Sequence, residues 1–470
     1  MSSIRFLAAP GALLLLSACA SLPADWGRGA LDAQLRDRGL SSATVPRERF
    51  TAQALREPLD LERAIQLALL NNPELQARYA SLGFAAAEVY EAGRLSNPLL
   101  SFTQLSAGGE AHAQLTLGVA VNFTELLFAR THRRIADAQF AAQKAAVGSA
   151  ALELAAQVEA AYRRCAAAAQ LLQLRERLAQ TAQVSAALAQ RYYEAGNLKP
   201  AELALEQAGG AQAALQADTA QLELSLARAS LQRLMGLADT QTPWQLAEPL
   251  AALPAADEAL DRLQAQAQAS RLDLQAAQAQ LQAVQARYGI ATPQSLIGEL
   301  QLGAERERDY DGSLHAGPTA AISLPLFDTG KGRRARAQAE LQEAQAALQA
   351  AELDVQTQLH SAYAQLRSSR KRAERYRDEL IPARERAFEA LQREHNYMLI
   401  GSFELLAARQ QSFDAYAGYI EALRDYQLAR ADLARAVGRR LPQTDPAPAA
   451  ALPEAAPQDP HAHHHGDHTP

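Results

Sequence analysis

Between Ala113 and Phe123 the chain alternates without a break. Leu115, Leu117, Val119, Val121 and Phe123 fall on one side, and Gln114, Thr116, Gly118, Ala120 and Asn122 on the other. A period of two over about 11 residues predicts a strand; apolar on one side and small or polar on the other fits a strand with lipid outside and water inside. Pro98 to Leu105 reads as its weaker partner, joined through the polar segment Ser106 to His112. A second pair recurs further on, at Leu296 to Ala304 and Thr319 to Leu326, with the charged stretch Glu305 to Gly317 expected as the connecting loop.

Elsewhere the period is helical. Leu61, Ile65 and Leu69 open a helix that breaks at Asn72-Pro73, and helix resumes to about Arg94. From Arg133 to Gly196 the only interior glycine is Gly148 and there is no proline, which predicts roughly 95 Å of helix. From Arg334 a second long helix runs to a kink expected at Pro382 and on towards Gly401. Leu341, Leu348, Val355, Leu359 and Leu366 step as a coiled-coil seam, with Ala344, Ala347, Ala351 and Ala362 between them. Helices of this length need antiparallel partners, and Pro200 to Leu234 (with Gly209-Gly210 as a local weak point) and Phe403 to Val437 supply them.

The whole pattern occurs twice. Leu75-Gln76-Ala77 returns as Leu274-Gln275-Ala276, Arg133-Arg134 as Arg333-Arg334, Tyr162 as Tyr363, Gly196 as Gly401 and Gly236 as Gly438, at separations of about 199 to 205 residues. The expected organisation is a signal segment over 1–18, an extended arm over 19–58, a first repeat over 59–240 and a second over 255–440. A Pro/Ala-rich and His-rich tail, disordered in character, then occupies 441–470. The strand pairs lie within 98–123 and 296–326.

Four strands cannot close a barrel, and open sheet edges are not tolerated in lipid. The chain is therefore expected to be mainly α with a small membrane β part: a homotrimer pooling twelve strands into a β-barrel, continued by a long coiled-coil helical barrel.

The two helix turns carry the most specific residues. Tyr193-Glu194-Ala195-Gly196-Asn197-Leu198 and Tyr397-Met398-Leu399-Ile400-Gly401-Ser402-Phe403-Glu404-Leu405-Leu406 resemble the Tyr-x-x-Gly turn motif of the TolC-like outer-membrane factors, the second with one extra residue before its glycine. Together with the duplicated helix–hairpin–helix layout, the resemblance spans about Leu59 to Gly438. It implies an outer-membrane efflux duct working with a periplasmic adaptor (membrane fusion protein) and an inner-membrane RND-type pump. The adaptor would dock on the turns, at Gly196, Asn197, Leu198, Gly401, Ser402 and Phe403, where glycine provides a positive φ and an uncluttered surface. The family constricts its periplasmic end with acidic side chains. Here the nearest acid is Glu404, with Asp414 further on and Arg409 where a second acid would be expected.

The ends add an address and a cargo. Arg5, the apolar run Leu7 to Leu16 and Leu16-Ser17-Ala18-Cys19 resemble a bacterial lipobox, which predicts acylation of Cys19 and, with Ala20 next, sorting to the outer membrane as a lipid-anchored protein with a large periplasmic extension. The tail holds His461, His463, His464, His465 and His468, a cluster able to bind Cu, Zn or Ni transiently. With the Tyr397–Gly438 segment, which looks most like components of copper and heavy-metal efflux systems, it tilts the expected cargo towards metal ions. A drug or organic-solvent duct, a periplasmic coiled-coil scaffold and a metal-sequestering lipoprotein are the alternatives.

The remaining composition excludes more than it assigns. The net charge of −6 offers no basic face for nucleic acid. Cys165 reads as a small buried apolar side chain. No Gly-rich phosphate loop, paired-cysteine site, nucleophile elbow or HExxH helix occurs, so neither an enzyme nor a resident cofactor is expected.

Overall fold

A computed structural model describes residues 24–442, leaving out 42–45, 93, 95, 107, 109–111, 238–243, 248, 324–326 and 328. Cys19 and the five tail histidines lie outside the described residues. In chain order the elements begin with helices α1 (Arg28–Arg36), α2 (Arg47–Ala54), α3 (Leu61–Asn71) and α4 (Pro73–Ala92). Strands β1 (Leu99–Leu105) and β2 (Gln114–Asn122) then lead into α5 (Phe123–Glu194) and α6 (Pro200–Leu234). The second repeat supplies α7 (Leu260–Ser270), α8 (Leu272–Ile297), β3 (Leu300–Arg308), β4 (Leu314–Ile322) and α9 (Lys331–Arg375). A π-helical turn at Tyr376–Leu380 follows, then α10 (Ile381–Asn396) and α11 (Ser402–Val437). Two compact units result, each built from both repeats.

The first unit takes in residues up to Arg38, Glu74–Ala151 and Gln268–Gln356. Its sheet is antiparallel in the order β1-β2-β3-β4, so the two hairpins join through β2 and β3, with Leu117 opposite Arg306 and Val119 opposite Ala304. The Thr124 hydroxyl donates to the Gly298 carbonyl at 3.2 Å and accepts from the Leu300 amide at 2.8 Å, which ties the start of α5 to the start of β3. Exposure alternates along the central strands β2 and β3 with its usual sign reversed, while β1 is exposed throughout. Leu117, Val119 and Val121 are exposed while Gly118 is buried and Thr116, Ala120 and Asn122 are partly covered.

Two expectations change here. The stretch Glu305 to Arg308 belongs to β3 rather than to a loop, and the turn is only Asp309 to Ser313. Each of these charged residues faces one side of a paired ladder, where period two separates the glutamates from the arginines. The arm is not extended either: α1 buries Leu31 and Leu35. A Cβ on Gly148 would come within 2.6 Å of Leu272 and 3.1 Å of Leu31, so the glycine is what admits both leucines against α5. Arg38 fixes the end of α1 by donating to the carbonyls of Gln34 and Ser270, both at 2.8 Å. Such a short helix carries too few apolar positions to show a period of its own.

The second unit takes in Gly39–Pro73, Leu152–Ala267 and the residues from Thr357 on. Its long helices pack through small side chains, and α11 buries Ala415, Ala417, Ala422, Ala429, Ala431 and Ala436 beside Tyr416, Tyr419 and Tyr426. Gly209-Gly210 does not interrupt α6. A Cβ on Gly210 would meet the Ala182 carbonyl and the Ala186 side chain at 3.5 Å, so the pair marks close helix approach. The kink expected at Pro382 is absorbed one turn earlier, in the π-helical segment, as a missing proline N–H allows. There the Tyr376 ring lies over Gly418, 2.6 Å from where a Cβ would stand.

Polar side chains hold the segment between the repeats. Tyr162, fully buried, donates to the Leu59 carbonyl at 3.0 Å, and Leu59 bridges to Leu246 in parallel. Arg370 donates to the carbonyls of Pro254 (2.8 Å) and Ala255 (3.1 Å) and pairs with Asp257 at 3.1 Å. The Tyr426 hydroxyl donates to Asp257 at 2.6 Å, and Gln427 to the Ala251 carbonyl at 2.8 Å. Replacing Arg370 with Ala removes several charge-assisted bonds, each worth roughly 1.5–3 kcal/mol. Limited proteolysis is expected to cut R370A between Ala251 and Glu258 while the parent chain stays intact; equal resistance of the two would show that the arginine does not hold this segment.

Candidate functional site: the two helical turns

Both turns belong to the second unit and close by the same hydrogen-bond scheme. At the first, Gly196 takes φ +75°, its amide donates to the Tyr193 carbonyl at 2.9 Å, and the Asn197 amide donates to Tyr192 at 2.8 Å. Lys199 then caps α6, Pro200 fills its first position, and Glu202 reaches back to the Lys199 amide at 3.1 Å. At the second, the residue with positive φ is Met398, at +57°. Its amide donates to His395 at 2.8 Å and the Leu399 amide to Glu394 at 3.0 Å.

Gly401 therefore does not play the part of Gly196. It is the N-cap of α11, with φ −81° and ψ 160°, the place Lys199 holds in the first turn. The structural offset between the turns is three residues from the one that aligning the glycines gives. The expectation that Gly401 provides the positive φ is corrected: the cap falls on Met398, at a left-handed strain of roughly 1 kcal/mol.

The remaining turn residues are brought together. Phe403 meets Tyr192 edge-on, with ring centroids 6.4 Å apart and planes at 85°. His395 Nε2 and the Ser402 hydroxyl are 3.1 Å apart. Asn197 and Gly401 are exposed, Leu198, Ser402 and Phe403 half-buried, and nothing lies within 4 Å of where a Cβ on Gly196 or Gly401 would stand. The second turn also bares a large apolar surface: Tyr397, Met398 and Leu399 are 79%, 92% and 73% exposed.

Past the second turn the charges sort themselves. Glu404 is exposed. Arg409 is sandwiched between the rings of Phe388 (4.9 Å) and Phe413 (5.2 Å) and pairs with Glu385 at 3.6 Å. Asp414 is engaged by Arg175, whose guanidinium donates to Asp414 and to Gln216, each at 3.0 Å, joining α5, α6 and α11. Sequence reading missed Arg175 and Arg370; their partners lie 239 and about 115 residues away, beyond the reach of any local period. Cys165 is fully buried, and burial pushes its thiol up to about 11, which leaves it inert. Among the described residues no group of three or more His, Cys, Asp or Glu is placed to hold a metal ion, and no helix is long and apolar enough to cross a membrane.

Comparison with known proteins agrees with this architecture. Residues 263–439 match the family model described as outer membrane efflux protein. The sequence has no match among curated proteins. Among solved structures, the chain is similar to the CmeC outer membrane channel of Campylobacter jejuni (TM-score 0.68, 16% identity, 80% of this chain and 85% of that one). It is similar to the outer membrane protein VceC of Vibrio cholerae (TM-score 0.67, 18% identity, 84% and 98%) and to CusC (TM-score 0.64, 17% identity, 81% and 92%).

The different roles of the two glycines are measurable. Gly196→Ala is expected to lower stability by about 1 kcal/mol, because alanine resists the left-handed region. Gly401→Ala should change it by less than about 0.5 kcal/mol. Thermal or denaturant unfolding of the two variants decides this, and equal losses would contradict the assignment of the cap to Met398.

Proposed function

We infer that this chain, a member of the outer membrane efflux protein family and a TolC-like outer-membrane factor, is a passive duct that carries substrate across the outer membrane. The observation that carries this reading is the reversed alternation of the two central strands β2 and β3, which expose Leu117, Val119, Val121 and Leu302 and half-bury Thr116, Asn122, Gln301 and Glu305, with β1 and β4 left as open edges. Such a face is stable only against lipid, and such edges only when another sheet completes them. Three copies supply twelve strands and a water-filled lumen, lined by Thr103, Thr116, Glu305, Glu307, His315 and Thr319 from each. Nothing in such a duct performs chemistry on its cargo.

The helical turns are the docking ends for a periplasmic adaptor, which couples the duct to an inner-membrane pump. Support comes from the bared residues Tyr397 to Leu399 and the open surfaces over Gly196 and Gly401. Glu404 is the gate candidate, being the first exposed acid past the second turn, while Asp414 is already committed to Arg175. Acylated Cys19 would add a lipid anchor. The His-rich tail favours copper or other heavy-metal ions as cargo, and multidrug export by the same duct is the competing reading.

Purified trimer is expected to conduct ions across planar bilayers; monomeric, non-conducting material would overturn the duct. Gly401→Trp should leave trimer assembly intact, since nothing crowds that position, and abolish export together with its adaptor. Normal tolerance in that variant would remove the docking role. Cys19→Ser should abolish palmitate labelling. Truncation after Leu441 should preserve export, and a sensitivity panel of metals against drugs in a deletion strain assigns the cargo.

A further inference from the structure

The end of β3 reads Glu305-Arg306-Glu307-Arg308, and the register sorts these charges by face. Glu305 stands opposite Gly118 and Gly317, and Glu307 opposite Thr116 and His315, all on one face of the sheet, where both glutamates are half-buried. Arg306 stands between Leu117 and Ala316, and Arg308 between Leu115 and Leu314, on the exposed apolar side. Both arginines are exposed, and neither makes an ion pair among the described residues. The glutamates across the sheet do not neutralise them, since Glu307 bonds Gln114 on its own face. The carboxylates of the turn are committed locally: Asp309 accepts from the Tyr310 amide and Asp311 from the Ser313 amide.

We propose that Arg306 and Arg308 form a binding site for the phosphate groups of anionic lipid headgroups at the outward rim of the sheet. This rests on the membrane reading above. Because β3 is flanked on both sides within its own sheet, copies completing the sheet at its open edges would pair with β1 and β4 and leave the outer face of β3 uncovered. The surroundings of the face are therefore lipid alone. Eight residues separate Leu300 from Arg308, about 26 Å along the strand and about 20 Å across a bilayer at the usual tilt, against an apolar band about 25 Å tall. Arg308 thus sits at the hydrocarbon boundary and Arg306 just beneath it. There each guanidinium lays its stem along leucine and lifts its head to the phosphates. The fork of N–H donors matches a phosphate in charge and geometry. Assembly would place six such guanidiniums around the barrel.

The test is native mass spectrometry of the full-length trimer in mild detergent, titrated with phosphatidylglycerol, with phosphatidylcholine or with inorganic phosphate. Phosphatidylglycerol should bind more tightly than phosphatidylcholine, and R306Q/R308Q should weaken it about 30-fold, at about 1 kcal/mol per arginine. R306K/R308K should retain most of the affinity, and in the parent trimer higher ionic strength should weaken phosphatidylglycerol selectively. Equal binding of the two lipids, unchanged affinity in the glutamine variant, or displacement of lipid by inorganic phosphate would each overturn the proposal. Channel conductance separates the two readings: a double variant that conducts normally but loses lipid preference supports both, whereas a parent trimer that conducts without lipid preference refutes only this one.

Discussion

The structure depends on one mismatch: a four-stranded sheet presents its apolar side to the outside and ends in two unpaired edges. Backbone groups on an edge demand partners, and exposed leucine and valine demand a non-aqueous neighbour. Water satisfies the first demand and not the second, while lipid does the reverse. Only a closed ring of sheets immersed in lipid meets both. The outer-membrane duct proposed above rests on that solvation argument.

Helix packing answers a different requirement, that very long elements lie closely side by side, with small side chains interspersed among buried leucines and tyrosines. Alanine and glycine set the spacing in the second unit, with Gly210 beside Ala182 and Ala186, and Gly418 beneath the Tyr376 ring. Close approach adds to that bulk, so dispersion contacts accumulate along the helices. Specific polar groups then fix register at a few points, as Tyr162 does at Leu59 and Arg370 and Tyr426 do at Asp257. This division of labour lets a chain with few aromatic residues hold a defined arrangement.

Much of this was legible from residues alone where a period ran unopposed. The alternation from Leu115 to Val121 located β2, and the heptad steps through Val355, Leu359 and Leu366 marked positions that are buried. Legibility failed where two signals competed. The charges at Glu305 to Arg308 looked like a loop because solvation of charge is a stronger local cue than period two, although the alternation was present. The helix at Arg28–Arg36 was too short to declare itself. In the second turn a conspicuous glycine drew the alignment, while the backbone placed the strained cap on methionine three residues earlier. The Arg175–Asp414 and Arg370–Asp257 pairs are products of tertiary closure and leave no trace in sequence spacing.

That displacement has a geometric outcome for assembly. Had the two turns been equivalent, the trimer proposed above would present six identical knuckles, and a ring around its axis would have sixfold character. With a bare glycine leading one knuckle and the protruding Tyr397, Met398 and Leu399 leading the next, that proposed ring would alternate smooth and greasy contacts. A partner clasping that proposed ring would have to adopt two orientations or two poses, however alike its own copies are.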